Sequence, residues 1–384
     1  MLKEYVCIGL YSDTAIASVD ACIFKTDGLD ILSDFECISR PYPDETKQLL
    51  HALISPQGQS DADLKERTEK AVTQHHIETV QVLLERVHRT YPQVDLIGFP
   101  GHTILHQPEH QLSVQIGDAQ ALADAFGCTV VTHFVQADLL AGGSGGPVFP
   151  AFYEALTRSV QKPIAVVTLG GVANVTWIGP LGELQSFDIG AGNILLDTWV
   201  QKKANQEMDF NGTLGAKGHI DAHLLSYLMK YPFLEKKPPK TLDRNDFNDL
   251  LKQIDGLNAE DGAATLTAFI AGTVQKSAQF FKEPVHQWIV TGGGSFNPTL
   301  VQMIRHAVKE PVISADEMGW NKDMLEAECY GFLAARCVNV LPITFPETTG
   351  IKEPLSGGLI FRGQNNTEHQ KNAAISITPH NPLD

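Results

Sequence analysis

Basic residues are scarce in this chain, because 29 lysines and arginines stand against 45 aspartates and glutamates and give a formal net charge of −16. Nucleic acids and anionic membrane surfaces bind clustered Lys and Arg side chains, so the charge excludes both partners and favours a small-molecule ligand. No apolar run approaches the ~20 residues of a membrane span, and the first residues lack the pattern of a secretory signal. These absences predict a cytoplasmic protein.

Cysteine is also sparse, and its spacing excludes the usual motifs. The six cysteines form no Cys-x-x-Cys pair and mostly fall in apolar segments; they are Cys7, Cys22, Cys37, Cys128, Cys329 and Cys337. This spacing argues against a zinc motif and against a disulfide framework. We therefore predict that all six are reduced core residues.

Two nucleotide-binding motifs are missing as well. The sequence has no Gly-x-x-x-x-Gly-Lys-Ser/Thr, and no Gly-x-Gly-x-x-Gly follows its first predicted strand, which excludes the P-loop and dinucleotide-binding classes. Three other glycine-rich turns follow apolar strands: Gly142 to Gly146, Gly190 to Asn193, and Gly292 to Gly294. Each turn alone is more often a plain connector, but convergent backbone N–H groups at three such turns favour a nucleotide cleft.

The 384 residues, 43% of them hydrophobic, are enough for two lobes with separate cores. Two apolar strands flank a small polar turn in residues 5–24, and a similar pair recurs in Ile164 to Ile178, followed by a strand that enters a helix. This repetition predicts an internal duplication with a cleft between two α/β halves. Further helices are predicted over 63–91, 222–231, 261–281 and 324–341, and buried strands over 94–99 and 287–291. The polar residues 364–384 predict a mobile tail.

Cys128 to Pro150 is the most informative segment. An apolar strand leads to Asp138 and then to Gly142-Gly143-Ser144-Gly145-Gly146, which predicts a carboxylate beside a loop that a ligand can approach closely. A flexible Gly/Ser linker is the plainer alternative. The same residues also match the Gly-x-Ser-x-Gly elbow of serine hydrolases, with Ser144 as the nucleophile, although Pro147 and the preceding charge do not fit that motif well.

Many ordered segments resemble anhydro-N-acetylmuramic acid kinases, from Ile8 to about Gly363. The resemblance rests on the N-terminal Gly9 to Asp20 turn and on the following segments: VQIGD (114–118), Asp138 with AGGSGGP, LGGVANVT (169–176), FDIGAGNILLDTW (187–199), PPKTLDRNDFN (238–248), DGAATLTAF (261–269), GGGSFNPTL (292–300) and DMLEAECYGFLA (323–334). It implies an α/β, two-lobed actin-like ATPase (ribonuclease H-like) sugar kinase fold with duplicated lobes and a central cleft. Residues 1–158 with 342–384 would form the N-terminal lobe, on the sugar and phosphate side, and residues 159–341 the C-terminal lobe, on the nucleotide side.

The resemblance also implies a reaction. ATP and Mg²⁺ would serve to phosphorylate 1,6-anhydro-N-acetylmuramic acid while water opens its anhydro ring, giving the 6-phosphate sugar of cell-wall recycling, and the enzyme would be a homodimer. Asp138 would be the general base that takes a proton from the attacking water.

The other site residues follow from the same resemblance. The nucleotide, phosphate and metal region would contain Ser12, Asp13, Thr14, Ala15, Ile16, Ala17, Ser18, Val19, Asp20, Gly170, Gly171, Asn174, Asp188, Gly190, Gly192, Asn193, Gly292, Gly293, Gly294 and Asn297. The sugar would contact His102, Thr103, His106, Gly142, Gly143 and Glu326. The plainer alternatives are a helix cap for Asp188, a surface charge for Glu326 and ordinary polar roles for the histidines.

The chain departs from the family pattern at both sides of the expected site. In the N-terminal turn, Asp13, Ala15, Ala17 and Ser18 replace a Gly, a Ser, an Asp and a Gly of the pattern. Asp13 would place a carboxylate near a triphosphate, which repels it by several kcal/mol unless Mg²⁺ lies between them. On the sugar side, His133-Phe134-Val135 replaces Asp-Phe-Arg, so the cation expected at the lactyl carboxylate is absent. A working kinase with altered contacts and a catalytically weakened paralogue that binds without turnover therefore both remain, beside the hydrolase.

Overall fold

The computed structural model describes residues 2–12, 16–55, 58–107, 110–242 and 248–363. Two β-sheets with flanking helices form an α/β architecture, and a short hairpin makes a third, two-stranded sheet. The strands are β1 (Tyr5–Tyr11), β2 (Ser18–Thr26), β3 (Glu36–Pro41), β4 (Leu96–Gly98), β5 (His102–Gln107), β6 (Leu112–Ile116), β7 (Thr129–Thr132), β8 (Ile164–Leu169), β9 (Val172–Ile178), β10 (Leu184–Ala191), β11 (Gln287–Thr291), β12 (Val312–Ser314) and β13 (Leu359–Arg362). The predicted tail, 364–384, lies outside the described residues.

The helices of the described residues vary from one turn to 26 residues. They are α1 (Asp44–Ile54), α2 (Ala62–Val87), α3 (Ala119–Phe126), α4 (Gln136–Leu140), α5 (Pro150–Leu156), α6 (Asn193–Ala204), α7 (Ala222–Leu228), α8 (Asn248–Gln253), α9 (Ala259–Ser277), α10 (Pro298–Ala307), α11 (Leu325–Val338) and α12 (Pro346–Thr349). None of those described is long and apolar enough to cross a membrane.

The two large sheets repeat one topology, which confirms the predicted duplication. The first sheet has the order β13-β7-β4-β1-β2-β3, and the second has the order β10-β9-β8-β11-β12. In each sheet, an antiparallel three-strand meander is followed by two strands that run parallel to its first strand. In the first sheet β4 pairs with β1 and β7 pairs with β4; in the second sheet β11 pairs with β8 and β12 pairs with β11. This 3-2-1-4-5 arrangement is the ribonuclease H-like pattern that the resemblance implied.

Helix α11 packs directly on the first sheet, across β1, β2 and β4. The approach is close enough that a Cβ atom on Gly9 would lie 1.7 Å from the carbonyl oxygen of Ala327, and one on Gly98 would lie 2.0 Å from that of Tyr330. The buried face of α11 includes Phe332 and contributes to one core that also contains residues of β8, β9 and β11. The helix therefore packs against the first sheet and joins the two halves of the molecule.

Two cysteines correct the sequence-based prediction that all six are reduced. Cys22 on β2 and Cys37 on β3 are register partners with Cα atoms 4.1 Å apart, and their sulfur atoms form a disulfide. The remaining four are unpaired and buried, as predicted. The sequence could not show this pair, because 15 residues separate the two cysteines and only the strand register brings them opposite each other.

Most of the other predicted elements are confirmed, with shorter bounds for the strand over 94–99 and for the helices. The features that were not predicted include the edge strands β3 and β12, the hairpin of β5 and β6, strand β13, which pairs with β7, and the helices α1, α3 and α10. Strand β13 consists of the four residues LIFR after Gly357-Gly358, and its side chains are mostly exposed. Such a short strand carries no clear period of two, so only its pairing partner identifies it.

Candidate functional site

Asp138 lies within α4, just after β7, and its carboxylate is 1% exposed. The backbone N–H of Gly145 donates to Oδ1 at 2.7 Å, and the Thr349 hydroxyl donates to Oδ2 at 2.5 Å. The glycine loop wraps this carboxylate so closely that a Cβ atom on Gly143 would lie 2.1 Å from Oδ1. Two hydrogen-bond donors and the closed glycine loop therefore fix the position of this buried carboxyl group.

The rest of the glycine loop is built by turns rather than by a linker. The N–H of Gly142 donates to Leu139 O and the N–H of Gly143 donates to Asp138 O, so the chain continues the short helix into the loop. Gly142 is exposed with a φ of 85°, and a Cβ there would meet nothing within 4 Å. Of the two predicted sugar-side glycines, Gly143 therefore lies against Asp138 and Gly142 has an open face.

The serine-hydrolase alternative does not fit this loop. Ser144 follows α4 and a turn, whereas a nucleophile elbow places the serine directly at the end of a strand. Its hydroxyl donates to the carbonyl oxygen of Gly146 at 2.6 Å. A hydroxyl held by a backbone acceptor in this way is not activated by a histidine base.

The N-terminal turn and the β5–β6 hairpin meet at a hydrogen bond. Ser12 Oγ and His102 Nδ1 lie 3.0 Å apart, and both residues are buried. Burial lowers the pKa of His102 to about 4, so the imidazole is neutral near pH 7. Its other ring nitrogen, Nε2, has no hydrogen-bond partner among the described residues. A predicted phosphate-side residue and a predicted sugar-side residue are thus in direct contact.

Other residues of the N-terminal turn have structural roles. Ile16 and Val19 are buried in an apolar cluster that also contains Tyr42, so their side chains do not face a ligand. The carbonyl oxygen of Ala17 accepts from the N–H of Tyr42, and Ser18 Oγ donates to Asp20 Oδ1 at 3.2 Å. Asp13, Thr14 and Ala15, which include two of the departures from the family pattern, lie outside the described residues.

A cavity of about 120 Å³ lies beside the hairpin, and its lining contains no Asp, Glu, Lys or Arg. Its lining residues are Pro100, Thr103, His106, Ser113, Gln115, His133, Phe134, Val135 and Tyr330. His106 Nδ1 and Ser113 Oγ lie 3.1 Å apart, and a Cβ on Gly145 would come within 3.3 Å of the His106 ring. The cavity is therefore next to the loop that holds Asp138, and it includes two of the predicted sugar-side residues.

His133, in the wall of this cavity, has an unusual backbone conformation and a ring nitrogen that is unpaired within the described ranges. Its φ is 55°, and its Nδ1 is buried without a hydrogen-bond partner in the described part of the chain. Burial lowers the pKa of this imidazole, so it also adds no positive charge to the cavity near neutral pH. A neutral ring nitrogen without a partner is suited to a sugar hydroxyl.

Glu326 begins α11 and is half-buried. One turn later on the same helix, Tyr330 lines the cavity, stacks on Tyr11 with ring centroids 6.1 Å apart, and lies 5.2 Å from Phe134. These three aromatic rings connect the N-terminal turn to the cavity. Sequence reasoning missed Tyr11, Tyr330 and Thr349, since each comes from a segment far away in the chain.

The later glycine turns converge at the start of α6. The N–H of Asn193 donates to Gly170 O at 2.8 Å, and the N–H groups of Gly192 and Ile194 donate to Gly171 O. A Cβ on Gly294 would lie 2.6 Å from Asn193 Oδ1, which places the third turn against the second. The structure thus brings together the predicted nucleotide-side glycines, but backbone carbonyls already accept from the first amides of α6.

Open backbone remains on the outer side of this cluster. Gly171 and Gly293 are exposed, and added Cβ atoms there would meet only Ile194 at 3.9 Å and Asn193 at 3.5 Å. Gly292, in contrast, has a φ of 79° and lies against Leu169, and Gly190 lies against Thr273. A flat ligand can approach the first two glycines, while the other two are required by packing.

Two polar candidates of this lobe, Asp188 and Asn297, are already engaged by hydrogen bonds. Asp188 Oδ2 accepts from the N–H of Leu242 at 2.9 Å, and Asn297 Oδ1 caps α10 by accepting from the N–H of Leu300. Asn174 lies on β9 as the register partner of both Thr168 and Asp188. Burial raises the pKa of Asp188 to about 7, against the Leu242 amide and the Lys240 charge, which lower it. Asp188 is therefore held by a neighbouring loop rather than by a helix end.

Comparison with known proteins agrees with this arrangement. The family model for anhydro-N-acetylmuramic acid kinase matches residues 5–363. The chain is 39% identical over 373 residues to the anhydro-N-acetylmuramic acid kinase of Methylobacterium nodulans, covering 92% of this chain and 99% of that protein. It is 40% identical over 363 residues to the one of Rhodopseudomonas palustris strain HaA2, with 92% and 98% covered.

Solved structures match only at low similarity. The component A of (R)-2-hydroxyglutaryl-CoA dehydratase from Acidaminococcus fermentans gives a TM-score of 0.42 at 11% identity, covering 86% of this chain and 98% of that chain. A ROK family glucokinase from Streptomyces griseus gives 0.37 at 13% identity, with 86% and 98% covered. The strand order of the two sheets, and not these matches, defines the fold.

The duplicated ribonuclease H-like sheets, the buried carboxylate beside a cavity and the family match together define a carbohydrate kinase of the actin-like ATPase fold. Within that class, the chain belongs to the anhydro-N-acetylmuramic acid kinase family. As a member of a kinase family it uses ATP.

Proposed function

We propose that this protein phosphorylates 1,6-anhydro-N-acetylmuramic acid with ATP and Mg²⁺ in the cytoplasm, during cell-wall recycling. Water attacks the anomeric carbon, the bond from that carbon to the bridging oxygen breaks, and this oxygen accepts the terminal phosphoryl group of ATP while ADP leaves. The products are N-acetylmuramic acid 6-phosphate and ADP. The observation that carries the proposal is the fixed Asp138 carboxylate beside the cavity, in a chain that matches the family over residues 5–363.

Asp138 is the general base of this proposal. One lone pair on each carboxylate oxygen is used by the Gly145 and Thr349 donors, which leaves lone pairs on both oxygens for a water proton. His102 and Glu326 are placed as hydrogen-bonding partners of the sugar, and Thr103 and His106 as residues of the cavity wall. Because Asp138 is covered, the loop that contains Gly142 and Gly143 has to open for the acceptor water to reach it.

The nucleotide is placed against the exposed glycines of the second half. Gly171 and Gly293 leave the backbone open, which suits the flat contact of a nucleoside. Mg²⁺ keeps several waters and is usually bound by one or two carboxylates together with substrate phosphates. The described residues contain no cluster of three carboxylates close enough to share a metal ion. In this proposal the ATP phosphates therefore supply much of the Mg²⁺ coordination.

The lobes and the assembly are part of the same proposal. We assign 1–158 with 342–384 to the sugar and phosphate side and 159–341 to the nucleotide side, except that the packing of α11 on β1, β2 and β4 argues for including it with the first lobe. A homodimer is proposed from the family resemblance.

A catalytically weakened paralogue is the second candidate, and one observation favours it. The N–H groups of Gly192, Asn193 and Ile194 all donate to carbonyls of Gly170 and Gly171, so the first amides of α6 are not free to bind phosphate in this conformation. Asp13 and Ala15, which replace a Gly and a Ser of the family's phosphate turn, also favour weakened phosphate binding. A protein of this kind would bind a sugar or nucleotide without turnover.

The test is phosphoryl transfer to anhydro-N-acetylmuramic acid by the purified protein with Mg-ATP. A working kinase forms the 6-phosphate, and Asp138→Asn lowers kcat by about 10²–10⁴-fold with nucleotide affinity nearly unchanged. Asp124→Asn, which changes an exposed carboxylate on α3, is the matched control and keeps the wild-type rate. Full activity of Asp138→Asn would remove Asp138 from the mechanism. An inactive wild type that gains turnover in Asp13→Gly combined with Ala15→Ser would favour the weakened paralogue.

A further inference from the structure

Two sulfur atoms and a buried carboxylate meet where α11 crosses the edge of the first sheet. Cys22 and Cys37 are paired across β2 and β3, and Cys37 Sγ lies 3.9 Å from Glu328 Oε1. The ligand atoms of all three residues lie within 4.8 Å of one another. Throughout the described ranges, this is the one group of three or more Cys, His, Asp or Glu side chains close enough to hold a metal ion together.

Glu328 is a buried carboxyl group, and burial together with the nearby Glu326 carboxylate raises its pKa to about 8. Its side chain is 2% exposed, and no Lys, Arg or His in the described ranges forms an ion pair with it. Cys37 Sγ is its hydrogen-bond contact, and a disulfide sulfur has no proton to donate. A carboxyl group in this setting avoids the cost of a bare buried charge by keeping its proton, and a metal ion in place of that proton would avoid the same cost by coordination.

A cavity gives solvent and ions access to this group. It has a volume of about 840 Å³, and its walls include Cys37, Glu328, Asp34, Glu36 and Arg86. The carboxylates of Asp34 and Glu36 thus face the cavity against one guanidinium, so the potential inside favours cations. Arg86 is also directed to Glu36, 3.9 Å away, and not to Glu328.

We propose that, once the Cys22–Cys37 disulfide is reduced, Cys22, Cys37 and Glu328 bind one divalent cation of the Zn²⁺ class, with water from the cavity as the fourth ligand. Zn²⁺ accepts thiolate and carboxylate ligands in a tetrahedron, at about 2.3 Å to sulfur and about 2.1 Å to oxygen. Ligand atoms in such a tetrahedron are separated by less than about 4 Å, so small side-chain rotations from the observed positions suffice. Two thiolates in the set select Zn²⁺ over Mg²⁺ or Ca²⁺.

The two states of the sulfur pair exclude each other. A dithiol reductant supplies two electrons and two protons, which break the S–S bond and leave two thiols. The cation then replaces the two thiol protons, which pass to water. A thiol oxidant reverses the sequence by taking two electrons from the thiolates, so formation of the disulfide releases the ion. The site is independent of the proposed kinase activity.

The test is a Co²⁺ titration of the full-length protein, reduced with a phosphine and kept under anaerobic conditions. We expect one equivalent to bind, with a thiolate-to-Co²⁺ charge-transfer band in the near ultraviolet and visible bands of tetrahedral intensity. Zn²⁺ should displace these bands. The diamide-oxidised protein, in which the disulfide is verified by intact mass, should bind no Co²⁺ with such bands.

Variants separate the three ligands from other thiols. Cys22→Ser and Cys37→Ser should weaken the charge-transfer band, and Glu328→Gln should retain both thiolates but raise the Kd for Co²⁺ by at least about tenfold. Cys337→Ala, which removes an unpaired buried cysteine elsewhere, is the control and should behave as wild type. Circular dichroism identifies any variant that fails to fold. If a cysteine variant is unfolded, the Kd of Glu328→Gln for Co²⁺ decides the test. Absence of stoichiometric binding to the reduced wild type, or binding by Cys22→Ser and Glu328→Gln that is as tight as that of wild type, would overturn the proposal.

Discussion

At the scale of single residues, the candidate site depends on contacts between side chains that are far apart in sequence. Asp138 is fixed by Thr349, which is 211 residues later, and Ser12 contacts His102, which is 90 residues later. The sequence alone identified Asp138 as a carboxylate beside a glycine loop. It did not identify Thr349 as the second hydrogen-bond donor to that carboxylate, because Thr349 lies in the short helix α12 with no motif around it.

Thr349 is a positioning residue for Asp138, and removal of its hydroxyl should be visible in kcat. A hydrogen bond to a charged group contributes about 1.5–3 kcal/mol, so Thr349→Val should lower kcat by about tenfold or more. KM for ATP should stay unchanged, because Thr349 does not border the glycines of the second half. Thr349→Ser keeps the hydroxyl and should restore most of the rate in steady-state assays. A loss of activity that Thr349→Ser does not rescue would indicate a packing role instead.

Val135 lies at the cavity, where the family pattern has an arginine. The described cavity walls contain neither Lys nor Arg, so a lactyl carboxylate meets no cation there. We expect Val135→Arg to lower KM for anhydro-N-acetylmuramic acid by about tenfold, since a charge-assisted hydrogen bond contributes about 1.5–3 kcal/mol. The matched control is the acceptor 1,6-anhydro-N-acetylglucosamine, which lacks the lactyl group and should show no gain. Equal gains with both acceptors would contradict the charge argument.

Asp188 should make stability depend on pH. Burial raises its pKa from 3.8 to about 7 in the folded chain, so the folded state binds more protons than the unfolded state between these values. The stabilising contribution of the protonated group is complete below pH 3.8 and is lost as the pH rises through 7. Asp188→Asn carries no charge, and its unfolding midpoint relative to wild type should therefore rise by a few degrees between about pH 5 and about pH 7.5.

The measurement for Asp188 is thermal unfolding at both pH values. Asp124→Asn, at an exposed position on α3, provides the control and should show no such change with pH. A constant difference between Asp188→Asn and wild type would mean that the carboxyl is ionised throughout this range.

At the scale of secondary-structure elements, α11 matters most because it covers the first sheet and carries Glu328 and Tyr330, which line two different cavities. The sequence predicted the helix and the buried strands that it covers. It did not predict how closely α11 approaches these strands, which depends on glycines at three crossing points: Gly9, Gly98 and Gly331.

Gly98→Ala tests this close packing. The added methyl group would lie 2.0 Å from the Tyr330 carbonyl oxygen, and neither backbone can move without shifting α11 or β4. Overpacking of this kind costs about 3 kcal/mol, which chemical denaturation would measure as a lower free energy of unfolding. Gly256→Ala is the control, because a Cβ there meets nothing within 4 Å, and it should change stability by no more than about 0.5 kcal/mol. Equal stabilities of the two variants would show that the contact is loose.

At the scale of the whole molecule, the net charge of −16 should weaken the compact state through self-repulsion. Salt screens this repulsion, which stabilises the folded state. Salt also weakens surface ion pairs such as the one between Arg158 and Asp30, but exposed pairs contribute only about 0–1 kcal/mol each. The excess of 16 negative charges should therefore dominate the response to salt.

We expect the unfolding midpoint near pH 7.5 to rise by a few degrees when NaCl increases from about 20 to about 200 mM, because the Debye length shortens to less than about 10 Å. The same salt series near the isoelectric point of about 5.3 is the control, and there the gain should disappear. A midpoint that falls with salt near neutral pH would show that ion pairs outweigh the net repulsion.

The sequence by itself determined the α/β class, the duplicated hairpins, the family and the carboxylate at Asp138, because each of these depends on local hydrophobic periodicity or on ordered motifs. The tertiary structure alone decided which residues meet across the sheets: Thr349 with Asp138, Ser12 with His102, Cys22 with Cys37 and both with Glu328. Such contacts depend on strand register and on the placement of α11, and neither is encoded within any one segment of the chain.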